Sequence, residues 1–349
     1  MEKSALIAMS GGVDSSVAAL LMLRAGYYCE GGTMRLNVCG AFPDTSDAAR
    51  VSERLGIKHS VFDFSREFEE NVVRRFVESY EAGFTPNPCV ECNRSLKFPL
   101  LLAAARARDL SCIVTGHYAR IERDPDSGRF LLKKAADLSK DQTYVLYSLS
   151  QDILGHTLFP LGSMTKREVR SIAEEAGFTN ASKRDSQDIC FIPDGDYGAF
   201  LEKFTGKKYE PGDYTDSEGR ILGRHRGAVR YTLGQRRGLG IAMGERVFVT
   251  GKDMEKNTVT IGPESDLMRR EAVCGRVNLI SVEALSQPIR VEAKARYSQS
   301  AKPATVAPLP GGRVSLVFDE PQRAMTPGQA AVFYVGDTVL GGGTIEEVR

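Results

Sequence analysis

The sequence predicts an α/β domain with a parallel sheet over residues 1–204, a small central domain over 205–270 and a C-terminal β-barrel over 271–349. Three observations carry this reading. Apolar runs of strand length alternate with runs of helix length through the first two hundred residues, the rhythm of βαβ units. The first such pair is joined by a tight turn with two glycines and three hydroxyls, Ser10-Gly11-Gly12-Val13-Asp14-Ser15-Ser16. From about Thr205 short alternating runs punctuated by Pro and Gly replace that rhythm, which marks a change of domain.

Composition bounds the rest. A chain of 349 residues suits two or three domains, and 42% hydrophobic content is ample for their cores. No apolar run approaches the ~20 residues a membrane span needs, and the N-terminus lacks a signal-peptide cleavage pattern. The expectation is a cytoplasmic protein without membrane contact. Seven cysteines, an odd number, fit a reduced compartment better than a disulfide framework. A net charge of +1 leaves any nucleic-acid binding to local patches.

Taken in order, residues 5–9 suit a buried parallel strand and residues 17–23 a helix packed on it, ended by Gly26. In the turn between them, glycines permit positive φ and close ligand approach, and successive N–H groups form an anion nest. The helix N-terminus adds partial positive charge, so the turn should hold phosphate. Ser15 and Ser16 can donate to phosphate oxygens, and Asp14 suits either a helix cap or a magnesium ligand. No Gly-Lys-Ser/Thr follows, so this is not a Walker loop. Residues 28–34 read as a second strand whose end, at Met34, would meet a nucleotide in a doubly wound sheet. Residues 45–55 read as a helix ended by Gly56, residues 59–64 as a third strand. Residues 66–80 form an amphipathic helix with Phe68, Val72, Phe76 and Tyr80 near helical spacing.

Two prolines in Thr85-Pro86-Asn87-Pro88-Cys89-Val90-Glu91-Cys92 predict a stiff loop ahead of a helix over 96–108. A thiol beside a helix N-terminus has its thiolate stabilised. Cys-x-x-Cys is also half of a zinc site, but no second such pair exists in the chain, so zinc is the weaker reading. Residues 111–115 read as a strand running into Gly116-His117-Tyr118. Gly116 permits close backbone approach, and His117 suits a structural or a ligand-facing role equally. Residues 121–134 read as a hairpin, and Lys140-Asp141-Gln142-Thr143, taken alone, as a helix start.

Thr165-Lys166-Arg167-Glu168 is a capping box opening a helix that Gly177 closes. Its Lys166, Arg167 and Arg170 read as a solvated face, with phosphate contact as the alternative. Cys190 has apolar neighbours, the setting of an inert thiol, yet Ser186-Gln187-Asp188 before it and Pro193-Asp194-Gly195 after it favour a loop. Arg224, His225, Arg226, Arg230, Arg236 and Arg237 surround Tyr231, a cluster that suits phosphate-backbone contacts or a solvated face. Residues 246–251 and 258–262 read as a hairpin, and short strands over 271–348 as a small barrel.

The turn at residues 10–16 resembles the loop of the ATP pyrophosphatases, whose Rossmann-like domain cleaves ATP to AMP and pyrophosphate while adenylating a carbonyl-type oxygen. Together with residues 85–98, 140–143, 186–193 and 231–239 and with Ala295-Arg296-Tyr297, it resembles the tRNA-specific 2-thiouridylases, over nearly the whole chain and in the right order. That resemblance implies an ATP-dependent exchange of oxygen for sulfur at C2 of the wobble uridine. It brings ATP and Mg2+, a tRNA, and a sulfur-donor or persulfide-carrier protein. It implies a nucleotide site of Ala8, Met9, Ser10, Gly11, Gly12, Val13, Asp14, Ser15, Met34 and Gly116. Cys92 matches the family's nucleophile and Cys190 the persulfide carrier, so the pair would form a disulfide during turnover. Asn87, His117, Lys140, Asp141, Gln142, Arg296, Tyr297 and Gln329 match tRNA contacts, and no residue is assigned to a metal.

The chain departs from the family pattern where Asp usually follows Asn-Pro; here that position is Cys89. A third thiol opens an alternative in which Cys89, Cys92 and Cys190 hold three irons of an iron–sulfur cluster whose fourth iron binds hydrosulfide. Residues 36–46 also look short, and Cys39 within them has no assigned role. A non-catalytic tRNA-binding protein is the alternative from another class, and the intact turn and paired cysteines argue against it.

Overall fold

The computed structural model describes residues 3–39, 44–181 and 189–349. The expectations for Ser186, Gln187 and Asp188 lie outside the described residues.

Strands β1 (Ser4–Ala8), β2 (Tyr28–Arg35), β3 (Lys58–Asp63) and β4 (Cys112–Val114) enter one parallel sheet. A hairpin, β5 (Arg120–Arg123) and β6 (Phe130–Lys133), follows before β7 (Thr157–Leu158) completes the sheet in the order β3-β2-β1-β4-β7. Central β1 is flanked on both edges and covered on both faces, which is why Ala5, Leu6 and Ile7 form an unbroken apolar run. Helices Val13–Arg24 and Lys166–Glu175 cover one face through Val17, Ala18, Val169 and Ala173. Helix Phe98–Arg106 covers the other through Phe98, Leu101 and Leu102.

Two helical stretches contain a wider turn. Ser65–Phe68 and Arg74–Glu81 flank a π-helical turn at Glu69–Val73, and Pro88–Cys92 and Phe98–Arg106 flank one at Asn93–Lys97. The second corrects the stiff loop expected before residue 96. Pro88 occupies the first helical position, where its missing N–H costs nothing. The Asn87 side-chain oxygen accepts from the N–H groups of Cys89 and Val90 at 3.1 and 3.3 Å, capping the helix. Cys89 and Cys92 therefore sit on a helix.

The central unit contains β8 (Gly212–Thr215), β9 (Ile221–His225), β10 (Phe248–Asp253) and β11 (Thr258–Gly262) in the order β10-β11-β8-β9. The C-terminal barrel is β12 (Met268–Leu279), β13 (Ile289–Lys294), β14 (Lys302–Leu309), β15 (Arg313–Arg323), β16 (Ala330–Val335) and β17 (Thr338–Val348). All its pairings are antiparallel, and β12 meets β17 to close the ring. Its strands are longer than expected, because prolines and glycines that read as breaks lie within them. Gly342 is one; a Cβ there would sit 2.6 Å from the ring of Tyr147, so its absence lets the barrel press against the first domain. Hairpin β5–β6 also joins β17, at Lys133 and Thr338, a crossing between domains that no local pattern reveals. No helix among the described residues is long and apolar enough to cross a membrane.

Candidate functional site

At the end of β1 the chain turns at Gly11, with φ of +73°, into the helix Val13–Arg24. A Cβ on Gly11 would lie 2.8 Å from Cβ of Asp47, so both conformation and space require glycine. Gly12 is extended and no side chain caps the helix, leaving the first-turn amides open to an anion. The hydroxyls divide. Ser10 is exposed beside the turn, whereas Ser15 and Ser16 are buried and both donate to the Gly12 carbonyl at 2.9 Å. Asn180 donates to the Gly11 carbonyl at 2.9 Å and to Ser16 Oγ at 3.0 Å. Ser15 and Ser16 thus both brace the turn, and Asn180 ties Ser16 in further.

Asp14 is not a helix cap. Its carboxylate accepts from Lys166 Nζ at 2.8 Å on each oxygen and from the Tyr118 hydroxyl at 2.9 Å. Lys166 is buried in this arrangement, so it does not belong to a solvated face. Nothing local could have linked Lys166 to Asp14, 152 positions away. Gly116 packs against the same turn: a Cβ there would lie 2.7 Å from the Asp14 carbonyl carbon and 2.9 Å from the Ser15 nitrogen. Met9 and Val13 are buried and Ala8 half-buried, and Met34 lies one residue before the end of β2.

One residue past Gly116, His117 bonds Thr115 Oγ1 through Nδ1 at 2.7 Å and packs between Phe98 and Phe159, with centroids 5.6 and 5.9 Å away. Burial, then the charge of Lys97, holds its pKa well below 6.5, so the ring is neutral at pH 7. Lys97 is also felt by the three thiols. Burial raises Cys89, Cys92 and Cys190 above the ordinary cysteine value, and Lys97 opposes that rise at each. Cys190 is pushed up to about 11 by burial first and then by Cys92 and Cys89. The two segments, a hundred positions apart, therefore converge on one place. All seven cysteines are free thiols. The amides of Cys89 and Val90 at the start of this helix are already taken by Asn87.

The residues matched to tRNA contacts fall into two groups. Tyr297 is half exposed and lies within electrostatic reach of Cys89, Lys140 and Asp141, with its ring 5.7 Å from that of Tyr144. Asp141 accepts from the Ala135 N–H and the Thr143 hydroxyl. Others are tied into the scaffold. The Gln142 side-chain oxygen accepts from the Tyr118 N–H at 2.8 Å. Gln329 donates to the Thr85 carbonyl at 2.8 Å, pinning the barrel to the loop before the thiol helix. Arg296 donates to the Leu233 carbonyl and to Thr326 Oγ1 at 2.8 and 2.6 Å, joining the central unit to the barrel.

The basic cluster also splits. His225 is buried between Tyr214 and Tyr231 and Arg230 pairs with Glu202, so these two hold the fold, while Arg224 pairs with Asp213 at the exposed surface. Arg226, Arg236 and Arg237 remain exposed. No group of three His, Cys, Asp or Glu side chains among the described residues gathers closely enough to hold a metal ion. The three thiols as arranged do not fit a cluster site. Asp14 is engaged on both carboxylate oxygens by Lys166.

Family models match the whole length in three parts: a tRNA methyl transferase HUP domain over residues 3–194, a tRNA methyl transferase PRC-barrel domain over 198–263, and an aminomethyltransferase beta-barrel domain over 269–345. The chain is 46% identical to tRNA-specific 2-thiouridylase MnmA of Acetivibrio thermocellus, covering 99% of each. It is 46% identical to that of Halothermothrix orenii over 98% of each, and 44% identical to that of Clostridioides difficile over 99% of each.

Proposed function

The chain belongs to the tRNA-specific 2-thiouridylase family, and from that membership we propose that it uses ATP to replace the C2 oxygen of a wobble uridine in tRNA by sulfur. The turn at residues 10–16 binds ATP, with magnesium carried on its phosphates. The uridine O2 attacks the α-phosphorus, a P–O bond forms, and pyrophosphate leaves. The terminal sulfur of a Cys190 persulfide then attacks C2, and the C–O bond breaks as AMP departs with the former uridine oxygen. Cys92, as thiolate, attacks Sγ of Cys190; the new disulfide releases the sulfur on C2, and the electron pair completes the thiocarbonyl. An external reductant resets the disulfide, and a sulfur-donor or carrier protein reloads Cys190.

The observation that supports this reading is that Cys92 and Cys190 feel each other's charge and that of Lys97, while Tyr297 feels that of Cys89. Lys97 offers positive charge against which a persulfide anion can be held, and Tyr297 offers a ring for a base drawn from the anticodon loop. The disulfide is a turnover species, consistent with free thiols at rest. A cytoplasmic setting, where donor proteins and reductant are present, suits such a cycle.

The test is to incubate the protein with ATP, magnesium, a sulfur donor and unmodified tRNA, then digest the tRNA and measure 2-thiouridine. AMP and pyrophosphate are the expected co-products. ADP and phosphate would contradict the adenylation step. Full activity of a Cys92→Ser, Cys190→Ser double variant would contradict the sulfur relay.

A further inference from the structure

The barrel reaches the thiol helix at one irregular point of β12. The register with β17 runs Cys274 to Ile345 and Gly275 to Thr344, then resumes at Asn278 to Gly342. β12 therefore carries one extra residue, a β-bulge. Within it Arg276 adopts φ of +47°, a left-handed conformation that arginine rarely takes. A strained residue persists only where its surroundings hold it, and such positions gather at functional sites.

Its surroundings here are the helix that carries Cys89 and Cys92. Arg276 Nη2 reaches out of the barrel to both oxygens of Glu91, at 3.2 and 3.0 Å. Glu91 also receives Arg75 Nη1 at 2.8 Å from the helix Arg74–Glu81, and its side chain is only 13% exposed. It immediately precedes Cys92. The bulge is anchored a second time by Asn278, which donates to the carbonyls of Tyr147 and Leu149 at 2.7 and 3.0 Å.

We propose that Arg276 is a positioning residue for Cys92: the bulge aims its guanidinium at Glu91, and that clamp fixes the helical turn on which Cys92 stands. This rests on the assignment of Cys92 as the resolving thiol. The groups that face Cys92 are Lys97 and Glu91 on its own helical stretch, Cys89 one turn earlier and Cys190 from the second cysteine segment. Burial is the main cause that raises the Cys92 thiol and Glu91's charge adds to it, and Arg75 and Arg276 are the cations paired with Glu91.

The experiment compares the wild type with Arg276→Gly, Arg276→Lys and Glu91→Gln. Glycine suits a left-handed backbone, so Arg276→Gly removes the clamp without straining the bulge. The expected result is a thermal midpoint no lower than wild type and a kcat for 2-thiouridine formation reduced roughly tenfold or more. The KM for tRNA should stay near wild type, and Arg276→Lys should recover part of kcat. Peptide-resolved alkylation should place the pH midpoint of Cys92 higher in Arg276→Gly, where Glu91 is less compensated, and lower in Glu91→Gln. Wild-type kcat together with an unmoved Cys92 midpoint in Arg276→Gly would overturn the proposal. So would a fall in thermal midpoint that accounts for the lost activity. Cys92→Ser separates the two claims. If it retains full activity, the resolving role fails and this proposal falls with it. If it is inactive while Arg276→Gly is unchanged in kcat and midpoint, only the positioning role falls.

Discussion

The turn at residues 10–16 and the thiol helix are both built where a helix begins, and they use that beginning in opposite ways. At Val13–Arg24 no side chain caps the helix, so open amides and the partial positive charge face whatever anion arrives. At Pro88–Cys92 the amides of Cys89 and Val90 are already taken by Asn87. Burial then dominates, and all three nearby thiols are raised rather than lowered. A helix N-terminus activates a group only when its amides are left open. Where they are closed, the activating charge must come from elsewhere, and here Lys97 supplies it.

The comparison can be broken most forcefully by separating the two halves. Cys190→Ser or Cys92→Ser should abolish 2-thiouridine formation, by roughly 10³-fold or more, while tRNA-dependent exchange of pyrophosphate into ATP persists. Exchange lost together with thiolation would mean that the halves are not separate. The converse variant is Lys166→Met, which removes the cation on both Asp14 oxygens. Exchange should fall about 10²-fold and stability by roughly 1–3 kcal/mol, with peptide-resolved thiol alkylation unchanged.

A smaller effect sharpens the thiol side. Lys97→Met should slow alkylation of Cys190 at neutral pH about severalfold, since a nearby cation that favours its thiolate is gone. In the wild type, Cys190 alkylation should keep rising with pH up to about 11, beyond the value of 9.0 for an unperturbed thiol. A plateau near 9 would show that burial does not control the site.

His117 gives a stability signature. Its folded pKa lies well below 6.5, so the unfolded chain binds its proton first as pH falls. The contribution is present in full above pH 6.5 and is lost as pH drops through the folded value. Replacing His117 by Asn should flatten that acid loss in a urea-melt series. The smallest effect belongs to the exposed arginines. Arg236→Ala with Arg237→Ala should weaken tRNA binding about severalfold and make its salt slope shallower, by about one unit for each phosphate left without its arginine.

Legibility in the sequence follows the same divide. The turn at residues 10–16, the strand before it and the glycine-ended helices can be read because their determinants lie within a few residues. The capping box at Thr165 and Glu168 is present as expected, both halves of it. The role of Lys166 inside that box is not legible, since its partner Asp14 meets it only after β4 and β7 have been laid beside β1. Pro88 reads as a breaker because the rule against proline in helices exempts only the first turn. The basic cluster invites overreading for a similar reason: local density of Arg says nothing about the Asp213 and Glu202 that neutralise two of its members. Arg276 carries no signal, because a bulge is a property of two paired strands.

The central claim is that adenylation at the turn and sulfur transfer at the thiols are joined by a Cys190 persulfide that Cys92 resolves. It is tested most directly by a single turnover of persulfide-loaded protein with ATP and unmodified tRNA, quenched by acid and mapped by peptide mass spectrometry. The account predicts 2-thiouridine, AMP, pyrophosphate and a Cys92–Cys190 disulfide in equal amounts. 2-Thiouridine formed without that disulfide, or formed as readily by Cys92→Ser, would contradict it.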